Sequence, residues 1–556
     1  MRYSLLADLY ERLESTAKKL EKRDMLAEFY RHAASEPTPS GRQPVLEKVV
    51  LMSTGAVFAQ GGEDLGVAKE TIKKIIAKAF GAPLDAVEKI FKKTGDLGLT
   101  AEKLAENKKQ TALRQQALTV DKVFDNLQQL PFISGTGSQE RKVNLVVEIL
   151  SQASPKEARY VVRTVIGDMR IGVAHGIVRE AIALAFDKEP KQVEHAFNVL
   201  GNFGIVAEMA RKGDLNAEVQ LFRPVRVMLA DSSPNLKEAL DAFDCPLVEC
   251  KYDGFRIAGH KDGSKVKIFS RRLDEVTNQF PDIEKMIKDN ISAKQCIVEG
   301  EVVAVDSKGN PQPFQSLSRR IQRKHNIEKM VKDIPIQVNL FDIIYVNGAS
   351  LMDKPLKERL ESLKMIIKTS KSFHYADNIE TKDFGNAEKF YQKCLKQGQE
   401  GVIVKNLSAQ YKPGKRVGYW LKVKPIMEPL DLVVVGAEWG EGKRSQWFGS
   451  LVLGAKQAGN FVETGRMASG LTEEQMEDLT KRLKKIIVSE EGKIVSVKPQ
   501  VVLEIGYEEI QKSPKYKSGY ALRFPRLLRL REDKSPSDAN TVNDIEKLFF
   551  MQKKRK

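Results

Sequence analysis

The hydrophobic pattern of the chain changes near residue 215, and the two patterns require different folds. Before that point apolar residues recur at helical spacing, as in "SLLADLYERLESTAKKLEK" (4–22) and "TIKKIIAKAF" (71–80). The first run predicts one helix whose buried face consists of Leu5, Leu6, Leu9, Leu13, Ala17 and Leu20. The second run predicts a buried face of Ile72, Ile75, Ile76 and Phe80. We therefore expect an all-helical domain over residues 1–215.

From "RPVRVMLA" (223–230) onward, short β-rich runs alternate with helical ones. Strands are predicted at "KVKIFS" (265–270), "QCIVEGEVVAVD" (295–306), "IQVNLFDIIYV" (336–346) and "EGVIVK" (400–405), and a helix at "PLKERLESLKMIIK" (355–368). This mixture predicts an α+β domain over residues 222–424.

A second boundary lies at "KPIMEPLDLV" (424–433), where two prolines interrupt the pattern. The runs after it predict strands at "LDLVVVGAEW" (430–439), "SLVLGAK" (450–456) and "QVVLEIGYEEI" (500–510), the last half-buried, and a helix at "TVNDIEKLFFMQ" (541–552). We therefore expect a small β-barrel or sandwich over residues 425–556.

The charge of the chain indicates a polyanionic partner. Its 556 residues include 91 Lys and Arg against 74 Asp and Glu, a net charge of +17, which is a large excess for a globular protein. The four cysteines show no CxxC pairing, which argues against a zinc site or a disulfide framework. No apolar run reaches about eighteen residues, and the N-terminus lacks a signal-peptide core, so we expect a soluble, cytoplasmic protein without a membrane partner.

Glycine-bearing turns punctuate the helical region at "KTGDLG" (93–98), "SGTGSQERK" (134–142) and "MRIGVAHG" (169–176). One interpretation is that they only end helices. The other is that their backbone amides, with adjacent Lys or Arg, bind phosphates. The choice depends on how this domain folds.

One lysine lies in a strand-like apolar run, "CPLVECKYDGFRIAGHKDG" (245–263). Because side chains two residues apart share a face of a strand, Lys251 would lie in line with Glu249 and Asp253. An exposed, salt-bridged strand would explain this pattern and would contribute little energy. The alternative is a lysine nucleophile positioned by its neighbours.

Other residues of the α+β region supply what nucleotide transfer to lysine requires. The candidates are Arg271 in "FSRR", Glu299 and Glu301 in "VEGEVV", Phe341 in "NLFDIIY", Glu400 and Lys405 in "EGVIVK", and Lys422 and Lys424 in "WLKVK". Carboxylates hold Mg²⁺ through hard oxygen atoms, and cations neutralise a triphosphate and its pyrophosphate leaving group. Taken singly, Glu299 is also explained as a surface charge and Phe341 as a core residue. A P-loop is not among these motifs, because "GAEWGEGKR" (436–444) has the wrong spacing and lacks the Ser or Thr.

The order and spacing of seven motifs resemble the signature of ATP-dependent DNA ligases. The motifs are "ECKYDGFR", "FSRR", "EGE", "NLFDIIYVNG", "EGVIVK", "WLKVK" and "LRFPRLLRLREDKSP". The similarity covers essentially the whole chain and is strongest to the archaeal replicative type, which is related to the eukaryotic ligases. It implies a multi-domain fold, with an all-α DNA-binding domain (1–215), an α+β nucleotidyltransferase domain with an ATP-grasp-like ligase core (222–424), and a β-barrel OB-fold domain with a C-terminal helix (425–556).

The resemblance gives each candidate a role. Lys251 would attack the α-phosphate of ATP, Glu249 would contact the adenine amino group, and Phe341 would stack on the base. The ribose and the 5′-phosphate of the nick would be contacted by Arg256 and Arg271. Glu301, which also belongs to the nucleotide site, and Glu400 would bind Mg²⁺, while Arg416, Lys422 and Lys424 would hold the phosphates. The residues of the last motif that would orient pyrophosphate are Arg526, Arg529, Arg531, Asp533 and Lys534.

The implied reaction seals nicks in duplex DNA. AMP would pass from ATP to the lysine and then to the 5′-phosphate of the nick, and attack by the 3′-hydroxyl would expel it. Replication, repair and recombination, together with cell division, are the implied roles, and we expect a monomer that is associated with the nucleoid. Docking on a sliding clamp stays open, because the candidate peptide "QTAL" (110–113) lacks an aromatic pair.

Other functions explain part of the pattern. An RNA capping enzyme shares K-x-D-G-x-R and an OB domain, but neither it nor an RNA ligase needs so long a helical region ahead of the motif. An NAD-dependent DNA ligase should carry a four-cysteine zinc module. A non-catalytic nucleic-acid-binding protein would leave the lysine and the carboxylates without a use.

Overall fold

The computed structural model describes residues 1–37, 43–60, 62–63, 65–106, 117–135, 137–321, 326–425, 427–440 and 446–555. It consists of two compact units. The first comprises residues 1–384 and 403–422, and the second comprises residues 385–402 and 423–556. The clamp candidate "QTAL" (110–113) lies outside the described residues.

Helices form the N-terminal part of the first unit, as the helical period predicts. They are α1 (Tyr3–Ser15), α2 (Lys19–Ser35), α3 (Val45–Ser53), α4 (Lys69–Phe80), α5 (Leu84–Thr94), α6 (Leu97–Glu106), α7 (Val120–Gln129), α8 (Ser138–Gln152), α9 (Pro155–Ile166), α10 (His175–Ala185), α11 (Pro190–Leu200) and α12 (Phe203–Lys212), with a 3-10 turn at Leu130–Phe132. Among the described residues, no helix is long and apolar enough to cross a bilayer.

The first predicted helix is two helices, which corrects the predicted buried face. Thr16 takes an extended conformation after α1, and α2 begins three residues later. The members of the predicted face that are exposed are Leu5, Ala17 and Leu20. The apolar period continues through this break in the sequence, but the backbone does not continue the helix.

Two of the glycine-bearing turns pack against each other in the helical region. Gly95 ends α5 in the left-handed conformation, with φ 62°. Asp96 then accepts a hydrogen bond from the N–H of Gly98 at 2.7 Å. Its buried carboxylate pairs with Arg163 at 2.8 Å and with Arg170 of the other turn at 3.3 Å. For these two turns the contacts support the interpretation as helix ends.

The chain then alternates strands and helices. In order these are β1 (Leu229–Ser232), α13 (Leu236–Asp241), β2 (Pro246–Lys251), β3 (Phe255–Asp262), β4 (Lys265–Ser270), α14 (Pro281–Asn290), β5 (Gln295–Ala304), α15 (Phe314–Ile321), α16 (Ile327–Asp333), β6 (Ile336–Val346), β7 (Ala349–Ser350), α17 (Leu356–Ile366), β8 (Phe373–Tyr375), β9 (Asn378–Glu380), α18 (Phe384–Lys396), β10 (Gly401–Asn406) and β11 (Arg416–Val423), with a 3-10 turn at Thr277–Gln279. One sheet has the strand order β1-β11-β10-β2-β9. The other has the order β4-β3-β5-β6-β7, with β8 beside β6.

A buried histidine ties the segment after the helices to the second of these sheets. The N–H of Phe222 donates a hydrogen bond to Nδ1 of His260 on β3 at 3.1 Å. His260 is fully buried, and burial lowers its pKa to about 3. The ring is therefore neutral in the folded protein at neutral pH, where it acts as an acceptor.

The second unit includes most of α18 and, from residue 423 onward, is rich in strands. The elements of this later part are β12 (Leu430–Trp439), β13 (Phe448–Gln457), β14 (Asn460–Met467), α19 (Glu473–Lys484), β15 (Ile487–Glu491), β16 (Ile494–Val497), β17 (Val502–Gly506), β18 (Glu509–Lys512), β19 (Tyr520–Arg523), β20 (Arg526–Leu530) and α20 (Val542–Arg555), with a 3-10 turn at Pro536–Asp538. The main sheet has the order β14-β13-β12-β16-β15, and β17 pairs with both β12 and β20. The remaining strands, β18 and β19, pair with each other.

The run "QVVLEIGYEEI" (500–510), predicted as one half-buried strand, forms two strands. Its first part is β17 in the main sheet, and its second part is β18, which pairs only with β19 among the described strands. β17 is also more buried than predicted, because Val502 packs against Val433 and Ala539, while Leu503 is buried in the main core of this unit. Both faces of the strand are therefore covered.

Replacing His260 with asparagine is expected to flatten the dependence of stability on pH. The neutral ring has a pKa of about 3 when folded and 6.5 ordinarily. Its contribution to stability is complete above pH 6.5 and falls as the pH drops toward 3, because the unfolded chain takes up the proton first. Between pH 6.5 and 5 this loss is about 2 kcal/mol.

Urea unfolding of the wild type and of His260→Asn at these two pH values measures the effect. The absolute stability of the variant also reflects the lost ring, so the comparison is between the two pH-dependent losses. An equal loss in both proteins would contradict the assignment to His260.

Candidate active site

The candidate nucleophile lies where the chain passes from one sheet to the other. β2 is buried along its length and ends at Lys251, which is partly buried. After residues 252–254, the chain enters the second sheet as β3. Asp253 belongs to this connection and is buried, so it does not continue the line of Glu249 and Lys251 along a strand as the spacing predicted. The K-x-D-G motif is thus the link between the two sheets.

The glycine of this motif is required by close packing. A Cβ atom at Gly254 would collide with the carbonyl oxygen of Val302 on β5, and it would lie 2.8 Å from Cγ of Glu301. A clash with backbone cannot be relieved by rotating a side chain, and packed interiors have little free space. Glycine therefore allows the connection to pass directly against the strand that carries Glu301.

Glu249, two residues before Lys251, is held by a buried lysine. Both of its carboxylate oxygens lie 2.7 Å from Nζ of Lys405. The two side chains are 3% and 0% exposed. Burial raises the pKa of Glu249 and lowers that of Lys405, and the attraction between the two groups opposes both shifts. From the sequence, Lys405 was a candidate only as the last residue of the motif "EGVIVK". The structure shows that it is the ion-pair partner of Glu249.

Two aromatic rings lie beside this ion pair. Phe341 and Trp420 form a T-shaped pair with ring centroids 6.1 Å apart. Lys405 Nζ lies 4.5 Å from the Phe341 centroid and 4.4 Å from that of Trp420, and Arg256 Cζ lies 5.1 and 5.5 Å from them. Phe341 is 7% exposed, so it is a core residue that also contacts the charged groups of the candidate site.

Arg256 connects the rings to a second buried carboxylate. It pairs with Glu299 at 2.9 Å and donates to the carbonyl of Met228 at 2.8 Å. The hydroxyl of Tyr411 donates to the other oxygen of Glu299 at 3.0 Å and accepts the N–H of Met228 at 3.0 Å. Burial acts to lower the pKa of Arg256, but Glu299 holds it above its usual value.

The interpretation of Glu299 as a surface charge is wrong. Its side chain is 1% exposed. Burial raises the pKa of Glu299, and Arg256 opposes the shift. Glu301 is two residues away on β5 and is only partly buried, so the two carboxylates of "EGE" occupy different environments.

A third buried ion pair lies next to these residues. Arg359 of α17 binds Asp342 of β6 through two hydrogen bonds, of 2.7 and 2.9 Å, and both side chains are fully buried. Asp342 is the strand partner of Glu299, so the ion pairs adjoin. Neither Asp342 nor Arg359 was singled out from the sequence, although a charged residue inside the apolar run "NLFDIIY" is a signal of burial with a partner.

Glu301 is the strand partner of Arg256, and it also interacts electrostatically with Arg271. Desolvation and then repulsion from Arg256 lower the pKa of Arg271, with Arg416 acting in the same direction and Glu301 against it. Arg271 therefore lies within electrostatic range of Arg256, Arg416 and Glu301. Arg416 begins β11, and Lys422 lies further along the same strand.

The second unit contains the remaining candidates from the central motifs. Lys424 pairs with Glu400 at 2.8 Å and with Glu508 at 3.2 Å. Burial acts to lower the pKa of Lys424, but these carboxylates raise it. Within the described ranges no cluster of three or more His, Cys, Asp or Glu side chains is arranged to hold a metal ion.

The last motif lies on β20 and the turn after it. Its candidates are Arg526, Arg529, Arg531, Asp533 and Lys534. Arg531 and Lys534 share one carboxylate, that of Asp431 on β12, at 3.0 and 2.6 Å. The structure therefore brings these cations together on one part of the C-terminal sheet.

Comparison with known proteins decides the family. Residues 227–424 match the family model "ATP dependent DNA ligase domain", residues 2–183 match "DNA ligase N terminus", and residues 444–534 match "ATP dependent DNA ligase C terminal region". The chain is 43% identical over 564 residues to the DNA ligase of Thermococcus fumicolans, with 100% of both chains covered. It is 42% identical over 570 residues to the DNA ligase of Nanoarchaeum equitans, covering 100% of this chain and 99% of that one.

The chain belongs to the ATP-dependent DNA ligases. The solved structure designated Pmar-Lig_PreS3 has the same overall fold, with a TM-score of 0.59 at 18% identity over 95% of this ligase and 99% of that chain. The predicted fold class is thereby confirmed, with a helical N-terminal domain, a nucleotidyltransferase domain and an OB-fold region. The boundaries at residues 215, 222 and 424 stay predictions. Family membership also excludes the capping-enzyme, RNA-ligase, NAD-dependent and non-catalytic alternatives.

Glu299→Gln is expected to destabilise this ligase by about 3 kcal/mol, because the amide removes the buried carboxylate that pairs with the largely buried Arg256. Glu284→Gln is a suitable control. It removes the charge that pairs with Lys288 at 2.6 Å, where the two side chains are 30% and 38% exposed, and should cost less than about 1 kcal/mol. Denaturant unfolding of both variants measures the difference. Similar losses in the two would contradict the buried-pair assignment.

Proposed function

We propose that this ATP-dependent DNA ligase seals nicks in duplex DNA through AMP carried on Lys251. The observation that supports this is the position of Lys251 at the junction of the two sheets, two residues from the Glu249–Lys405 pair. In the first step the amine attacks the α-phosphorus of ATP. A nitrogen–phosphorus bond forms, the bond to the pyrophosphate oxygen breaks, and the amine gives up its proton.

The second step returns the lysine to its free state, and the third joins the strands. An oxygen of the 5′-phosphate at the nick attacks the phosphorus of the lysine-bound AMP and releases the amine. The 3′-hydroxyl then attacks the 5′-phosphorus, forms the phosphodiester bond and expels AMP. Arg271 and Arg416, which are within electrostatic range of each other, would neutralise phosphate charge in these steps.

Recognition of adenine falls to Glu249 and Phe341 in this proposal. The pair with Lys405 fixes the carboxylate of Glu249, and Trp420 packs against the ring of Phe341. Groups held in this way need little reorganisation when the nucleotide binds, which is the condition for effective electrostatic recognition.

Glu301 and Glu400 are the proposed Mg²⁺ ligands. Each is a partly buried carboxylate, and hard oxygen atoms are what Mg²⁺ prefers. Mg²⁺ bound by either carboxylate would neutralise phosphate charge. Arg416, Lys422 and Lys424 would contact the phosphates themselves, as the family resemblance implies.

The biological role follows from the reaction. We infer that residues 1–215 bind duplex DNA, as the family resemblance implies, and the net charge of +17 of the whole chain suits a phosphate-bearing partner. Nick sealing would serve replication, repair and recombination, and through them cell division, with the ligase acting as a monomer. A sliding clamp is a further candidate partner.

Lys251→Ala is expected to abolish covalent labelling by ATP that carries label on its α-phosphate, because the attacking amine is gone. Lys267→Ala is the matched control, since Lys267 on β4 pairs with Glu275 at the surface. The control should label like the wild type, and both variants should still bind nicked DNA in a gel-shift assay. Label attached to a lysine of the Lys251→Ala protein would refute the assignment.

Phe341→Leu is expected to raise the KM for ATP by about tenfold, because stacking on a base contributes about 1–3 kcal/mol. Phe373→Leu is the control, since Phe373 on neighbouring β8 is fully buried in the second sheet's core. Both variants should lose stability, but only Phe341→Leu should change the KM. An unchanged KM in both would assign Phe341 to the core alone.

A further inference from the structure

Two carboxylates lie opposite each other in the C-terminal sheet. Asp431 on β12 is the antiparallel partner of Glu504 on β17. Like charges directly opposite each other destabilise a pair of strands. An arrangement of this kind is favourable only when cations lie close to both carboxylates.

The cations that neutralise them come from the last motif. Arg529 on β20 is the strand partner of Glu504 and forms an ion pair with it. Nη1 of Arg531 donates to both oxygens of Asp431, at 3.0 and 3.1 Å, and Nζ of Lys534 lies 2.6 Å from the same carboxylate. The neighbouring carboxylates on β12 and β17 thus bind basic residues of this motif and determine where they lie.

Asp431 is itself firmly held. Its N–H donates to the side-chain oxygen of Asn540 at 2.7 Å, and its carbonyl accepts the N–H of Asn540 at 2.8 Å. Its side chain is 13% exposed, and that of Arg531 is 10% exposed. A carboxylate anchored in this way determines where the guanidinium lies.

The other edge of Arg531 is bound within the motif. Nε and Nη2 donate to the two oxygens of Asp533, at 2.8 and 2.7 Å. These hydrogen bonds and the nearby Asp431 raise the pKa of Arg531, and Arg531 in turn lowers that of Asp533. With both edges bound, Arg531 fixes the turn of residues 531–534 against β12. Lys534 is 32% exposed and Arg529 is 61% exposed, so both side chains remain accessible to solvent while their ion pairs hold them in place.

We propose that Asp431 is a positioning residue for the adenylylation step. Through Arg531 and Lys534 it sets the turn 531–534 so that the cations of the last motif meet the departing pyrophosphate. This inference rests on the proposed function and on the role that the family resemblance implies for those cations, which would orient the pyrophosphate of ATP and have none to act on when an adenylated nick is joined. Asp431 lies outside the motifs that carry the family resemblance.

The test compares two assays on the same full-length variants. Asp431→Asn keeps the size of the side chain and removes its charge. Self-labelling with ATP should slow by about tenfold or more, chiefly through a higher KM, since hydrogen bonds between charged groups are each worth about 1.5–3 kcal/mol. Joining of a nick that already carries 5′-AMP should fall by less than about twofold. Asp431→Glu restores the charge and should recover part of the self-labelling.

Glu438→Gln is the matched control. Glu438 is also on β12, and it pairs at 2.9 Å with Arg466, which is outside the last motif. The same chemical change at this position should leave both assays unchanged. A melting temperature for each variant, measured in parallel, shows whether the protein is folded.

Each other outcome overturns the inference. Equal losses in both assays with a lower melting temperature would show that Asp431 only stabilises the sheet. Faster self-labelling would show that Asp431 masks the cations. If the wild type labels normally, Lys251→Ala does not, and Asp431→Asn behaves like Glu438→Gln, the positioning role fails alone. If the wild type forms no covalent AMP, the proposed function fails, whatever Asp431→Asn does.

Discussion

The close approach between the K-x-D-G connection and β5 determines the geometry of the candidate site. No side chain fits at Gly254, because the carbonyl of Val302 occupies that space. The contact brings the end of β2 close to β5, a central strand of the second sheet. Lys251, three residues before Gly254, is therefore held near the strand that carries Glu301. A strand end is suited to this task, since its last side chain is fixed by a buried backbone but still partly exposed.

The charges beside this junction are buried in pairs. The described residues include three such pairs, and two aromatic rings lie beside the first two of them. The pairs are Glu249 with Lys405, Glu299 with Arg256, and Asp342 with Arg359. Desolvating each ion costs several kcal/mol, and apolar side chains of similar size often give equal or greater stability. What such pairs offer is fixed orientation, because removal of either partner leaves a buried charge alone. We infer that these three pairs contribute more to the fixed geometry of the site than to the stability of the fold.

The sequence predicts the elements of this fold better than their partners. The runs at 336–346 and 430–439 coincide with β6 and β12, because long apolar segments mark strands that are covered on both faces. The connection through Thr16 was missed because the apolar period continues across it. The same limit applies to the site. Lys251 stands out locally, whereas Glu249 meets Lys405 across 156 residues and Glu299 meets Tyr411 across 112. No local pattern encodes such pairings.

The cations of this ligase differ in exposure, and this difference separates those that hold a fixed partner from those that can exchange partners. Lys405 lies in the core and Arg256 is 14% exposed with a buried carboxylate partner. Breaking a buried ion pair costs about 3–5 kcal/mol, so these carboxylates stay in place while substrates change. Arg529 is 61% exposed, and an exposed ion pair is worth about 1 kcal/mol or less. A surface cation can therefore exchange a carboxylate for a phosphate at little cost and return to it later. The proposed reaction needs both properties, since the adenine site must persist through the transfer of AMP, whereas pyrophosphate must be bound and then released. Arg531 is only 10% exposed, so it holds a fixed partner although it lies in the last motif. Its partner Asp431 on β12 therefore helps to determine where the more exposed cations of that motif lie.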